Sequence, residues 1–280
     1  MTLSSFVATV LEQNGVRRQW VNLLGHQTHC LEAGDGAAHI FWFPAVGDSA
    51  SSFGQTLLLL AESLHGIAKI TAVDPPGYGA SLLPPDREML SFTELEPWVQ
   101  ELVASVEEPL ILVGNSSGGV LATAAALSKE TQVAGLIFVG WPDWRFGTPP
   151  KADLCPVDIS SLSNLLSRCW HRPPRLTNVA LKNLLQQFTN HAYRGHVESF
   201  NANEFALKLD QFQGRLAFVG GVSDRLVPPT ILEASAASRN NTKLCWITEA
   251  GHYPHREQPK QLVKVLTELT DWYLTSFPSL

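Results

Sequence analysis

The sequence predicts an α/β fold, with a mostly parallel central sheet and helices on both faces. Two observations lead to that class: short apolar runs of strand length alternate with stretches of helical period, and those runs are apolar throughout rather than at every second residue. A third shapes it. The alternation breaks once, over a proline-rich interval, and then resumes.

In chain order, residues 20–24 and 28–32 flank His26 and predict an N-terminal hairpin. Strands are predicted at 40–43, 70–73, 110–113, 136–139, 216–219 and 244–247. Ser91 followed by Glu94 is a capping-box signal for a helix running towards Val106. Near the end, Leu262, Val265, Leu266, Leu269, Trp272 and Tyr273 recur at helical spacing, with Pro259 in the first turn. The break falls after Trp141 and lasts until about Gly214, through Pro142, Pro149, Pro150, Pro156, Pro173 and Pro174 and a helical pattern at 176–188. The expected organisation is therefore a core of 1–141 and 213–280 with a helical lid inserted at 142–212. It should lie over the carboxyl ends of the strands, where open α/β sheets bind ligands.

Composition narrows the function classes. A chain of 280 residues, 45% apolar and 16% charged, can bury a large core in one folded unit. A net charge of −6 without a basic cluster argues against nucleic acid. No apolar run reaches the roughly 20 residues that cross a bilayer. Cys30, Cys155, Cys169 and Cys245 are scattered and form no CxxC pair. The apolar stretch at 6–11 is too short for a signal-peptide core and lacks a basic flank, so the expectation is a cytoplasmic protein with reduced thiols.

The chemistry is concentrated after the third predicted strand of the core. There an apolar run leads through Gly114-Asn-Ser-Ser-Gly118 directly into a small-residue segment of helical character, the setting of a nucleophile elbow with Ser116 exposed on a sharp turn. A serine hydroxyl needs a base. Of nine histidines, His252 alone follows a strand-length run and precedes the last helix, while His255 beside it reads as a loop or helix-cap residue. His191 and His196 have no metal-ligand spacing. For the acid that orients the histidine, Asp224 follows the next-to-last strand; Asp143, after the strand ending at Val139, is the competitor.

Ser116, Asp224 and His252 occur in the order used by the α/β-hydrolase superfamily, which the chain resembles over nearly its whole length. The segment Val73-Asp-Pro-Pro-Gly-Tyr-Gly-Ala-Ser81 is similar to the DxxGxGxS turn of that superfamily, with Asp74 and its glycines read as structural. The resemblance implies an oxyanion hole made by the backbone N–H groups of Ser117 and Val46, although Pro44-Ala45 stands where members usually carry His-Gly. It implies a serine hydrolase that cleaves a carboxylester or thioester through an acyl-enzyme on Ser116, with no cofactor or metal. Trp144, Phe146, Trp170, Phe188, Tyr193 and Phe200 in the insertion point to a small to medium apolar substrate. Carbon–carbon hydrolases, cofactor-free lyases and perhydrolases share this triad. A ligand-binding homologue of another class stays open as well.

Overall fold

Every predicted run except 20–24, which ends one residue past β1, lies inside a strand of one seven-stranded sheet: β1 (Arg17–Leu23), β2 (His26–Phe43), β3 (Gly66–Asp74), β4 (Leu110–Asn115), β5 (Val133–Val139), β6 (Leu216–Gly221) and β7 (Thr242–Ile247). This is a computed structural model, and it describes residues 9–141, 143, 145–147 and 150–277. The hydrogen-bonded path is β1-β2-β4-β5-β6-β7, with β3 paired to β2. From β2 through β7 that path is parallel; β1 runs antiparallel to β2.

The hairpin turns at Leu24 (φ 51°) and Gly25 (φ 84°), a two-residue loop whose twist suits antiparallel strands. Sequence reading separated the second hairpin strand from the next one, yet β2 carries both. Its partners on β3 fall from Asp74 to Gly66 along residues 29–36, then rise from Ala68 to Ala72 along 38–42. The chain thus doubles back at Asp35-Gly36, and β3 lies between the two halves. Gly36 makes this possible, since at φ 151° a Cβ there would overlap the backbone of Ile67 and Ala68.

Continuous apolarity has a direct cause in β4 and β5, where every residue is buried. Successive side chains point to opposite faces. Leu110, Leu112, Leu136, Phe138, Leu216 and Phe218 join one core cluster, while Ile111, Val113, Ile137, Val139, Ala217 and Val219 join the other. Helices α1 (Gly54–Ser63) and α11 (Pro259–Leu274) cover the second face, and Tyr273 of α11 donates its hydroxyl proton to the Leu136 carbonyl at 3.0 Å. Helices α2 (Phe92–Ala104) and α3 (Gly118–Ser128) cover the first. The predicted capping box closes α2, with Ser91 and Glu94 each satisfying the other's backbone N–H.

Between β5 and β6 the described residues form five helices: α4 (Lys151–Leu154), α5 (Ile159–Cys169), α6 (Asn178–Thr189), α7 (His191–Ser199) and α8 (Ala202–Gln211). After β6 come α9 (Pro229–Ala237) and the short α10 (Pro254–Glu257). Phe205 and Leu209 of α8 merge into the main core, with Phe205 4.8 Å from the Trp141 ring. Pro142, Trp144 and Pro149, used in the sequence reading of this interval, lie outside the described residues.

Gly36→Ala should lower the free energy of unfolding by more than about 2 kcal/mol, because strain and overlap with β3 add together. Gly25→Ala, with no atom within 4 Å of its Cβ, should cost only the left-handed strain of about 1 kcal/mol. Urea titration of the two variants checks the ranking.

Candidate active site

The elbow is built by crowding. Ser116 sits at φ 48°, a left-handed conformation that a non-glycine residue adopts only when its surroundings impose it. Its N–H donates to the Val139 carbonyl at 2.8 Å, and its own carbonyl accepts the Gly119 N–H at 3.0 Å. A Cβ on Gly114 would strike Gly119, and one on Gly118 would strike the Phe43 carbonyl, so small residues are required on both sides. Asn115, fully buried, donates its side-chain amide to the same Val139 carbonyl at 3.0 Å. The N-terminus of α3 follows at once and turns its positive end to this place.

Asp224 and His252 lie in contact. His252 Nδ1 lies 2.8 Å from Asp224 Oδ2, and both side chains are only 2% exposed. Asp224 Oδ1 accepts the N–H groups of Leu226 and Val227, each at 2.9 Å, which fixes the carboxylate. A carboxylate can only accept, so in the neutral imidazole Nδ1 carries the proton and Nε2 the lone pair. Gly140, one residue beyond the carbonyl that holds Ser116, faces this ring. A Cβ there would come within 3.1 Å of His252 Nδ1.

The competing acid is engaged elsewhere. Asp143 holds Arg145 through Nε at 2.9 Å and Nη2 at 2.6 Å and also accepts its backbone N–H, while Arg145 reaches on to Asp210. Asp74 plays the expected structural part, accepting the N–H of Ala50 at 2.6 Å and of Ala80 at 2.9 Å, with His29 Nδ1 at 2.8 Å. It ties the loop after β2 to the turn after β3. The Val46 N–H points to the elbow but donates to Ser117 Oγ at 2.8 Å.

Reading the insertion as a lid over the strand ends gave no sign of how it grips the histidine and acid loops. The Cys169 carbonyl accepts the His252 N–H at 2.6 Å, and the Arg168 carbonyl accepts the Arg225 N–H at 3.0 Å. Arg225 in turn donates to the carbonyls of Ser167 and Trp170. Glu257 collects the N–H groups of Gly251 (2.7 Å), His171 (3.2 Å) and Arg172 (3.0 Å). Carbonyls carry no sequence signal. Glu257, a carboxylate closely following the histidine loop, was the one visible hint.

His255 is neither a loop nor a cap residue. It is buried in α10 against Phe53, with Nε2 3.7 Å from Asp48 Oδ2. Burial alone would raise the Asp48 carboxyl, but Arg256 at 2.6 Å and His255 outweigh it and hold it down at about 2. His196 Nδ1 lies 2.7 Å from the Tyr78 hydroxyl, and no cluster of three metal-ligating side chains occurs among the described residues. The insertion's aromatic residues largely pack on one another and on the core. Phe188 meets Tyr193 at 4.8 Å, Phe200 meets Phe92 at 5.9 Å and Trp170 meets Tyr253 at 5.6 Å. Phe146 is exposed, and Trp144 lies outside the described residues. No described helix is long and apolar enough to cross a membrane.

The model of the Alpha/beta hydrolase family matches residues 38–265. A 2-hydroxy-6-oxononadienedioate/2-hydroxy-6-oxononatrienedioate hydrolase of Paraburkholderia xenovorans (strain LB400) is 22% identical, over 86% of this chain and 90% of its own. Among solved structures, a meta-cleavage product hydrolase from Pseudomonas fluorescens IP01 superposes with a TM-score of 0.70 at 18% identity, covering 91% of this chain and 97% of that one. An esterase from Exiguobacterium antarcticum does so with a TM-score of 0.71 at 16% identity, covering 91% and 100%.

Burial pushes His39 down to about 3, His196 down to about 4, and lowers His255 as well. The unfolded chain takes up protons near pH 6.5 where these folded groups do not, so stability is full above that pH and falls as the pH drops towards 4. His196→Gln should flatten that fall. Urea unfolding at pH 7 and pH 5 should differ by less in the variant, by up to about 1.4 kcal/mol per pH unit for one histidine.

Proposed function

The chain belongs to the alpha/beta hydrolase family, and on that premise we propose that it is a serine hydrolase cleaving carboxylesters or thioesters through an acyl-enzyme on Ser116. The observation that carries this reading is the buried 2.8 Å contact between His252 and Asp224 beside an elbow that holds Ser116 at φ 48°. Asp224 fixes the tautomer and orientation of His252, whose Nε2 takes the Ser116 proton as the hydroxyl oxygen attacks the carbonyl carbon. The resulting oxyanion is stabilised at the start of α3, where the Ser117 N–H and the helix dipole act. Collapse expels the alcohol or thiol with the proton from His252, and water repeats the sequence to release the acid.

The paired state of several basic residues around the site favours a neutral, apolar substrate. Arg145 is held by Asp143 and Asp210, Arg256 by Asp48, Arg168 by Asp153, and Arg225 by backbone carbonyls. A dianion would need free cations there. The helical insertion then serves as a lid that shapes the acyl pocket, while its segment 167–172 braces the triad.

A second reading is favoured by the curated relative. The dioate in its name carries a ketone and no ester, so hydrolysis there must cleave a carbon–carbon bond. The same three residues could attack that ketone.

A turnover screen should find p-nitrophenyl esters of short to medium acyl chains cleaved faster than 2-hydroxy-6-oxo-dienoates; the opposite preference would establish the carbon–carbon reading. On the best substrate, Asp224→Asn should lower kcat by roughly 10⁴, the loss known for the equivalent change in a serine protease triad, whereas Asp143→Asn stays mild. If the two variants rank the other way, the acid is Asp143.

A further inference from the structure

We propose that the Ser117 side-chain hydroxyl, and not the Val46 amide directly, is the second donor to the oxyanion. This rests on the Ser116 acyl-enzyme reading above and deepens it.

Two observations carry it. The Val46 N–H, which the family resemblance assigns to the oxyanion hole, is already donated to Ser117 Oγ at 2.8 Å. That hydroxyl therefore stands where a second donor is expected, between the Val46 amide and the elbow. Ser117 is also the N-cap residue of α3, yet its side chain makes no capping hydrogen bond. Its backbone is already helical (φ −58°, ψ −18°), whereas a capping serine is extended, so the oxygen is not aimed at the N–H groups of the first turn. Here the oxygen accepts from Val46 instead, and its own proton remains available to donate. The side chain is largely buried, with the residue 9% exposed, so the proton is directed within the site rather than to bulk water.

The loop that bears Val46 is not free to swing in and take the oxyanion itself. Phe43 abuts Gly118, the Asp48 N–H is bonded to the Ala45 carbonyl, the Asp48 carboxylate to Arg256, and the Ala50 N–H to Asp74. Val46 is fixed behind Ser117. Its contribution is to polarise the hydroxyl, since a hydroxyl that accepts a hydrogen bond donates a stronger one.

The step is balanced without any net transfer through Ser117. Ser116 Oγ bonds to the carbonyl carbon, its proton passes to His252 Nε2, and the carbonyl π pair becomes a lone pair on oxygen. That oxygen accepts from the Ser117 N–H and the Ser117 Oγ–H. On collapse the pair returns to the carbonyl and both hydrogen bonds weaken. The donor thus acts only when negative charge has developed, the condition for raising kcat rather than lowering KM.

The test compares wild type with Ser117→Ala, Ser117→Cys and Ser117→Thr, reading kcat and KM on the best p-nitrophenyl ester and the rate constant for inactivation by a fluorophosphonate. Alanine, and cysteine with its feeble donor, should lower kcat and the inactivation rate by about 10²-fold with KM changed less than about threefold, the loss of one oxyanion donor. Threonine, which keeps the hydroxyl, should recover to within about tenfold of wild type. The proposal is overturned if alanine matches or exceeds wild type, which would mean that the hydroxyl blocks an amide that acts directly. It is equally overturned if threonine fares no better than alanine. Full activity in Ser116→Ala, measured alongside, would instead sink the acyl-enzyme reading on which this inference depends.

Discussion

The left-handed backbone of Ser116 is the constraint on which the rest of the site depends. Such a conformation costs on the order of 1–3 kcal/mol and persists only where neighbours over-determine it. Here the neighbours are the Val139 carbonyl, which takes both the Ser116 N–H and the Asn115 amide, and the backbone contacts permitted by Gly114 and Gly118. One residue beyond that carbonyl, Gly140 leaves room for the His252 ring. A single strand end, that of β5, thus sets the serine turn and the seat of the histidine together.

The histidine side of the site is assembled from three separated parts of the chain. The turn after β6 supplies the carboxylate, the loop after β7 the imidazole, and the end of α5 the carbonyls that hold both loops. Glu257 closes the arrangement with three backbone N–H groups from two of those parts. The insertion therefore cannot be treated as an independent cover. A change that loosened 167–172 would disturb the loop that carries His252 as well as any pocket above it.

How much of this was legible in the sequence follows from what each feature costs locally. β4 and β5 announced themselves because burial on both faces demands unbroken apolar runs, and the elbow because crowding demands Gly114 and Gly118. The doubling of β2 did not, since only pairing on both sides of β3 reveals it and Asp35-Gly36 alone reads as an ordinary turn. His255 looked like a loop residue because its burial comes from Phe53, distant in sequence. The order Ser116, Asp224, His252 was readable; the choice of Asp224 over Asp143 acquired geometric support only when Arg145 was seen to occupy the latter. The state of the Val46 N–H was invisible, because it depends on where one hydroxyl rotamer points.

The central claim is that one serine, Ser116, forms the covalent intermediate. Reaction of the folded chain with a fluorophosphonate, followed by proteolysis and mass spectrometry of the adduct, tests it most directly. A single adduct is expected on the peptide containing Ser116, at that residue. An adduct at any other serine, or none on folded protein, would contradict it.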